Sequence, residues 1–160
     1  MTANTSMIKI RKYNESDARD LWGIFYHTIR NVNSRDYTQA QVEAWAPDNA
    51  SPEVWQQKMN AISPFVAEID GEIVGYTDLQ KDGLIDHFFC HHEHQGKGIG
   101  RHLMEHVLRV GELQGITRFY SEVSITARPF YEKFGFKVAK EQTAEIRGQK
   151  LRNFVMEKLS

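Results

Sequence analysis

The chain contains an apolar run, LIDHFFC (residues 84–90), and shortly after it the glycine-rich hexapeptide QGKGIG (residues 95–100). An apolar-periodic segment runs from Ile99 to Leu113, so the glycines connect a predicted buried strand to a predicted helix. Glycines let a backbone approach an anion closely, and the free N–H groups of a first helical turn point at it. We therefore predict a phosphate-binding turn and a phosphorylated cofactor.

Length and composition favour one globular domain. The chain has 160 residues, of which 41% are hydrophobic and 26% charged, and its formal net charge is -1. A chain of this length can bury a core, and its balanced charge argues against general nucleic-acid binding. We expect a single domain over residues 7–159 and a flexible N-terminal tail over residues 1–6.

Three further features bear on where the protein works. No apolar stretch approaches membrane-spanning length, and the N-terminus lacks the basic and apolar segments of a secretory signal. Cys90 is the single cysteine, which excludes an internal disulfide framework. We therefore expect a cytoplasmic protein that binds neither nucleic acid nor membrane.

Hydrophobic periodicity predicts a mixed α/β fold. An alternating strand spans residues 7–12, and two or three helical segments follow it, beginning near Ser16, Tyr37 and Ser51. A three-stranded meander with Asp-Gly turns comes next. The later predicted elements span residues 64–69, 72–80, 84–90, 99–113, 118–123, 127–134, 136–140 and 151–159. Strand 84–90 is apolar at nearly every position, so we expect both of its faces to be covered.

Two familiar phosphate motifs do not fit the hexapeptide. A dinucleotide-binding fold needs G-x-G-x-x-G, usually after a first strand, whereas these glycines stand at 96, 98 and 100 and follow a meander. A P-loop needs Gly-Lys followed by Ser or Thr. Here Gly96-Lys97 is followed by Gly98, and Gly98 is followed by Ile99, so the P-loop pattern does not fit. The pattern that remains is Q-x-x-G-x-G.

A second motif, ARPFYEKFGF, lies downstream at residues 127–136. The two motifs, at this spacing and with this strand order, resemble the GCN5-related N-acetyltransferase (GNAT) family, whose loop reads R/Q-x-x-G-x-G/A. The family's later helix reads roughly N-x-x-A-x-x-F/L-Y-x-x-x-G-F. The resemblance covers about residues 7–159 and is most specific over 84–136. It implies a GNAT-like acyl-CoA N-acyltransferase fold: a central, mixed, mostly antiparallel sheet of six to seven strands, flanked by about four helices.

The resemblance implies an N-acetyltransferase that moves an acetyl group from acetyl-CoA to an amine by direct attack. Coenzyme A is then the pyrophosphate ligand, and no metal is expected. The acceptor, a small molecule or a peptide, stays unidentified. The family and the exposed strands late in the chain are both compatible with a homodimer. One alternative is a non-catalytic acyl-CoA binding module or sensor on the same fold.

A second alternative is a metal-binding protein built on the histidine cluster, His91, His92 and His94. A cysteine pair and an H-E-x-x-H helix are two patterns typical of zinc sites, and neither accompanies this cluster. The preferred interpretation is that these histidines are solvated loop residues. A further hypothesis is that these histidines make the loop beside the phosphate site pH-sensitive.

Twelve residues are assigned to the cofactor. Backbone N–H groups of the glycine loop would bind the pyrophosphate, with added charge from Lys97 and Arg101. The resemblance implies that the backbone of residues 88–90 pairs with the pantetheine arm and that one N–H polarises the thioester carbonyl. Ser124 stands where the family often has Asn, and a hydroxyl has less reach than an amide. The full set is Phe88, Phe89, Cys90, Gln95, Gly96, Lys97, Gly98, Ile99, Gly100, Arg101, Ser124 and Tyr131.

Three residues are assigned to catalysis. Tyr131 matches the family's tyrosine, so the resemblance implies that it protonates the departing thiolate. Asp86 and His87 interrupt the apolar strand, and a carboxylate with a raised pKa or a histidine suits a base that takes a proton from an ammonium group. Adjacent strand residues face opposite ways, so we expect one of the two to face the cleft.

Aromatic residues on the early helices are candidates for the acceptor site. In the fold that the resemblance implies, these helices cover that site, and Tyr37, Trp45 and Trp55 could form an apolar wall there. Packing of the helices onto the sheet is the competing interpretation. Cys90 is a weaker candidate as a nucleophile, because direct transfer needs no acyl-enzyme.

Overall fold

Seven strands and five α-helices make up the computed structural model, which describes residues 7–160. The predicted tail over residues 1–6 lies outside the described residues. In chain order the elements are β1 (Ile8–Lys12), α1 (Ala18–Asn31), α2 (Gln39–Trp45), α3 (Pro52–Ile62), β2 (Phe65–Ile69), β3 (Glu72–Thr77), β4 (Phe88–Cys90), α4 (Ile99–Leu113), β5 (Arg118–Ser124), α5 (Arg128–Lys133), β6 (Lys137–Ile146) and β7 (Gln149–Leu159).

The strands form two antiparallel sheets instead of the one central sheet expected from the sequence. The first sheet has the order β1-β2-β3-β4 and the second has the order β5-β7-β6. One parallel bridge between Leu84 and Tyr120 joins them, and Ile85 N donates to Tyr120 O at 2.9 Å. Beyond this bridge β4 and β5 are not paired with each other, which leaves a cleft between the sheets.

Two hairpins turn on residue pairs in the left-handed conformation. Asp70 and Gly71 connect β2 to β3 with φ values of 51° and 82°. Arg147 and Gly148 connect β6 to β7 with φ values of 45° and 83°. Two successive residues at positive φ match the twist of the flanking strands, so each pair closes a tight hairpin. The predicted Asp-Gly hairpin at residue 70 is confirmed.

The predicted strand 84–90 is wrong in its first half, because β4 begins only at Phe88. The Asp78 carboxylate, which is fully buried, accepts hydrogen bonds from the backbone N–H of His87 at 2.6 Å and of Asp86 at 3.2 Å. Thr77 Oγ1 donates to His87 O at 2.8 Å. The backbone groups of the Asp86–His87 segment therefore form hydrogen bonds with side chains, and no β-ladder forms there.

The sequence also underestimates β6, which continues to Ile146 where the prediction ends at residue 140. This edge strand is largely exposed and polar, so it lacks the apolar period by which strands are recognised. Its length comes from the hairpin with β7, in which Lys137 pairs with Glu157 and Ile146 pairs with Gln149.

The helices cover both faces of the first sheet. Val66 of β2 packs in one cluster with Leu21 of α1 and Met59 of α3. Its neighbour Ala67 faces the other way and packs with residues of α4, Ile99 among them. The prediction of α4 over residues 99–113 is confirmed at both ends. The α4 N-terminus therefore lies beside β4, where the two sheets diverge.

Candidate active site

A cleft of about 860 Å³ opens between the diverging sheets. It is lined by residues of both edges, from Leu84 to Cys90 on one side and from Ser121 to Ser124 on the other. Of the residues assigned from the sequence, all but Lys97 and Trp55 line it. Those present are Tyr37, Trp45, Asp86, His87, Phe88, Phe89, Cys90, Gln95, Gly96, Gly98, Ile99, Gly100, Arg101, Ser124 and Tyr131.

Each glycine of the hexapeptide has its own structural reason. Gly96 and Gly98 have φ values of 79° and 83°, a left-handed conformation that favours glycine. Gly100 is limited by contact instead, because a Cβ there would lie 2.9 Å from the Phe130 ring. Gln95 anchors the loop, since its Nε2 donates to Cys90 O at 3.0 Å. The loop is therefore held against the end of β4 and against α5.

The loop delivers the α4 N-terminus to the cleft. Gly98 caps this helix of 15 residues, and its first turn contains no acidic side chain. Arg101, in that same turn, lines the cleft and adds a fixed positive charge. Lys97 lies outside the lining, with Nζ 3.3 Å from His94 Nδ1. Free N–H groups, the helix dipole and Arg101 together favour an anion such as pyrophosphate.

The free edge of β4 faces the cleft. His91 N donates to Val74 O at 2.8 Å, and Phe89 stands opposite Tyr76 in the ladder. Because bonded pairs alternate in an antiparallel ladder, Phe88 and Cys90 direct their N–H and C=O groups away from β3. The Cys90 carbonyl is already taken by Thr28 Oγ1 at 2.8 Å and by Gln95. The Phe88 backbone is therefore left to bond an extended ligand.

Tyr131 lies in the wall of the cleft, only 3% exposed. Its hydroxyl is 3.4 Å from Ser121 Oγ, and Ser121 donates to Ile85 O at 2.7 Å. Because the serine proton is used for Ile85, the phenol is the donor between the two hydroxyls. Burial raises the pKa of Tyr131 far above neutrality. The phenol therefore keeps its proton at every physiological pH and can donate it to negative charge that develops beside it in the cleft.

Asp86 and His87 both line the cleft, in different settings. Asp86 is exposed and accepts a hydrogen bond from Lys58 Nζ at 2.6 Å. The His87 ring stacks on Phe25, and its Nδ1 is 3.0 Å from the Tyr76 hydroxyl. Burial lowers the pKa of His87 to about 4, so its imidazole is neutral at pH 7. Both residues precede β4. The alternation of side chains along a strand, on which the prediction of a single cleft-facing residue rested, therefore does not apply to them.

Ser124 has a partner that the sequence analysis missed. Asn33, buried in the turn after α1, donates from Nδ2 to Ser124 Oγ at 3.2 Å. Ser124 Oγ also accepts from Ala127 N at 3.0 Å, and both Asn33 and Ser124 line the cleft. An amide group thus stands beside the serine, contributed by a residue far away in sequence. No local motif marks Asn33, because the contact exists only in the folded chain.

Of the three candidate aromatics, Tyr37 and Trp45 line the cleft and stack edge to face. The Tyr37 hydroxyl donates to Arg152 O at 2.6 Å and accepts from Ile125 N at 3.0 Å. Trp55 lies behind His87, and its Nε1 donates to Ala18 O at 2.8 Å. The predicted aromatic wall therefore consists of Tyr37 and Trp45.

The remaining candidates gain no chemical role from the structure. Burial raises the pKa of the Cys90 thiol to about 12, which leaves almost no thiolate at neutral pH. His91 stacks on His92 and meets His94 edge to face. Within residues 7–160, no three His, Cys, Asp or Glu side chains are grouped to hold a metal ion. No helix in that same range is long and apolar enough to cross a membrane.

Comparisons with known proteins show what the chain is similar to. A family model described as an acetyltransferase (GNAT) domain matches residues 33–159. The chain is 30% identical over 149 residues to the uncharacterized N-acetyltransferase YafP of Escherichia coli K12. The aligned residues cover 93% of this chain and 94% of YafP. It is also similar to a solved GCN5-related N-acetyltransferase of Rhodopseudomonas palustris, with a TM-score of 0.92, 25% identity and 97% coverage of both chains.

A more distant solved structure, YncA of Salmonella typhimurium with its cofactor acetyl-CoA, has the same fold. Its TM-score is 0.70 at 18% identity, with coverage of 95% of this chain and 93% of that chain. The comparisons support neither the sensor nor the metal-binding alternative.

Proposed function

The chain belongs to the GNAT family of acetyl-CoA-dependent N-acetyltransferases, and we propose that residues 7–159 act as one domain that acetylates an amine by direct attack. The observation that carries the proposal is the convergence of three features on one cleft. These features are the anion-binding start of α4, the free Phe88 backbone of β4 and the protonated phenol of Tyr131.

The residues present fit coenzyme A. The loop over residues 95–100 offers backbone N–H groups and the N-terminal end of a helix dipole to the pyrophosphate, and Arg101 adds a guanidinium. Phe88 offers a donor and an acceptor to an extended amide chain such as pantetheine, as a neighbouring strand would. Asn33 and Ser124 offer further polar groups on the opposite wall.

Acetyl-CoA supplies an acetyl group activated as a thioester. The amine nitrogen attacks the carbonyl carbon, a C–N bond forms, and the C–S bond breaks with its electron pair going to sulfur. A backbone N–H at the β4 edge stabilises the negative charge that develops on the carbonyl oxygen. Tyr131 gives its proton to the sulfur, and a proton from the acylated nitrogen restores the phenol.

An amine enters the cleft as an ammonium ion and must lose a proton before it can attack. We assign this proton transfer to Asp86, acting directly or through water, because its carboxylate is exposed in the cleft lining. The low pKa of His87 opposes uptake of a proton, so we assign His87 to the wall beside the amine. A neutral ring there does not repel the ammonium. Holding both substrates in this cleft supplies much of the rate enhancement.

Calorimetry with acetyl-CoA tests the cofactor assignment, with ADP as a control that carries a pyrophosphate without pantetheine. We expect acetyl-CoA to bind and ADP to bind far more weakly, because ADP cannot use the β4 edge. Absence of heat at millimolar acetyl-CoA would contradict the proposal. Release of free thiol with an amine panel then tests catalysis, and binding without release from any amine would indicate the sensor alternative.

A further inference from the structure

One part of the cleft, formed by the early helices and the β6–β7 hairpin, has an uncharged wall. The residues contributed by α1 and its following turn, α2 and the β6–β7 hairpin include no Asp, Glu, Lys, Arg or His. We name five of these residues the acceptor wall: Tyr37, Trp45, Ile146, Leu151 and Asn153. The carboxylates that line the cleft belong to other elements, because Asp86 precedes β4 and Glu122 lies on β5.

The acceptor wall is continuous and is held together by hydrogen bonds between the hairpin and α2 with its preceding turn. Gln41 Nε2 donates to Lys150 O at 2.8 Å, Arg147 Nη1 donates to Ala44 O at 2.8 Å, and Tyr37 donates to Arg152 O. Leu151 packs in the same cluster as Tyr37, with Trp45 and Ile146 against it. An extended peptide cannot pass between α2 and the hairpin while these contacts hold.

One polar group in this wall is unused by the protein. Asn153 Oδ1 is buried and has no hydrogen-bond partner within residues 7–160. A buried acceptor without a donor is unfavourable, and a ligand donor would remove that cost. The Tyr37 hydroxyl, by contrast, is already occupied on both sides. The wall therefore offers apolar and aromatic surface with one hydrogen-bond acceptor.

These features point to a class of acceptor. A polyamine or an aminoglycoside carries several ammonium groups, and each would need a carboxylate that this wall lacks. We propose, on the premise that the cleft performs acetyl transfer, that the acceptor is a small monoamine with an apolar, aromatic-sized body. Its body packs against Trp45 and Ile146, a donor group on it reaches Asn153 Oδ1, and its single amine lies toward Asp86.

The test compares amines by thiol release. The panel holds phenethylamine, tyramine and tryptamine against spermidine, kanamycin and a peptide with a free N-terminus. We expect the best aromatic monoamine to exceed the best member of the other group by at least about tenfold in kcat/KM, a discrimination that apolar pockets reach. A preference for spermidine, kanamycin or the peptide would overturn the proposal.

A pair of variants tests the wall itself. Ile146→Glu places a carboxylate in it, and Val138→Glu makes the same change on β6 outside the cleft lining. We expect Ile146→Glu to lower kcat/KM for the aromatic monoamine about tenfold or more, and Val138→Glu to leave it unchanged. Equal effects of the two variants would contradict the assignment.

Acetyl-CoA calorimetry on the same samples separates the two levels of the argument. If acetyl-CoA binds and no aromatic monoamine is acetylated, the acceptor class is wrong and the cofactor assignment stands. If acetyl-CoA does not bind to the unmodified chain, the proposed function fails and the acceptor class fails with it.

Discussion

The Tyr131 hydroxyl lies 3.4 Å from Ser121 Oγ, which in turn donates to the carbonyl of Ile85. The phenol of Tyr131 therefore has only one long hydrogen bond, to Ser121. Because burial raises its pKa, it keeps its proton at neutral pH. A weak partner costs little to leave, so the phenol is free to turn toward a ligand atom in the cleft. This relationship makes Tyr131 the residue whose removal is most informative.

We expect Tyr131→Phe to lower kcat by about 100-fold or more, the usual contribution of a positioned acid, while the Kd for acetyl-CoA changes little. Steady-state kinetics and calorimetry measure the two quantities. Tyr120→Phe is the matched control, because that hydroxyl bonds exposed Asp82 outside the cleft lining. An unchanged kcat in Tyr131→Phe would remove this residue from the chemistry.

The assignment of Asp86 as proton acceptor predicts a specific pH profile. Asp86→Asn should lower kcat/KM at pH 7 and regain activity as the pH rises, since the free amine then forms in solution without a base. His87→Gln should keep the profile of the unmodified enzyme. If His87→Gln shows the alkaline rescue and Asp86→Asn does not, the two roles are exchanged.

Much of the fold could be predicted from local sequence signals. The α4 bounds agree because a glycine loop precedes Ile99 and Gly115 lies two residues after Leu113. The hairpin at Asp70 has strong turn chemistry. The break before β4 could not be predicted. It depends on the Asp78 carboxylate, which accepts hydrogen bonds from two backbone N–H groups of the next segment. The sequence pattern predicts Asp78 only as a residue of strand 72–80.

The site was predictable where a motif carries it and not where only folding does. The hexapeptide and Tyr131 lie in recognisable patterns, and the structure brings Tyr131 and every residue of the hexapeptide except Lys97 to one cleft. Asn33 and Asn153 enter that cleft through contacts across the chain, and neither stands in a pattern. Trp55 has the same residue type as Trp45, and only packing decides which of the two reaches the cleft.

Asp78 should support both stability and activity. Its two oxygens accept from His87 N, Asp86 N and Gln80 Nε2, so Asp78→Asn would turn an NH₂ group toward donors. We expect a loss of about 2–4 kcal/mol in the free energy of unfolding, measured with urea, and a lower kcat. Asp20→Asn, on the exposed side of α1, is the control and should change neither quantity.

The pH dependence of stability offers a separate test of Asp78 and His87. Burial lowers the pKa of His87 from 6.5 to about 4, so His87 stabilises the fold above pH 6.5 and loses this effect as the pH falls toward 4. Burial raises the pKa of Asp78 from 3.8 to about 6. Asp78 therefore makes the fold more stable as the pH falls from 6 to 3.8, which is nearly the same pH range.

The two effects oppose each other, and the unmodified chain should show little net change from them between pH 6 and 4. His87→Gln removes one of the pair, so we expect that variant to gain stability relative to the unmodified chain as the pH falls through this range. The lowering of the His87 pKa from 6.5 to about 4 corresponds to about 3 kcal/mol. Urea unfolding at pH 7, 5 and 4 measures it, and parallel curves for the two proteins would contradict the burial of His87.

The glycines of the loop should separate cofactor binding from stability. A Cβ at Gly98 would make only ordinary van der Waals contacts, 3.8 Å from Arg101 Nη2 and 3.9 Å from His102 Nδ1. Gly98→Ala therefore costs mainly the left-handed backbone, about 1–2 kcal/mol, and should weaken acetyl-CoA binding by distorting the loop. Gly100→Ala instead drives a methyl group into the Phe130 ring at 2.9 Å and should lower the melting temperature more.

Two further variants make the glycine comparison decisive. Gly23→Ala, in helical backbone with no atom within 4 Å of the new Cβ, should be neutral or slightly stabilising. Combining Gly100→Ala with Phe130→Leu should recover part of the lost stability, because the smaller side chain makes room for the methyl group. If the double variant is no more stable than Gly100→Ala alone, the contact between α4 and α5 is not what requires glycine at this position.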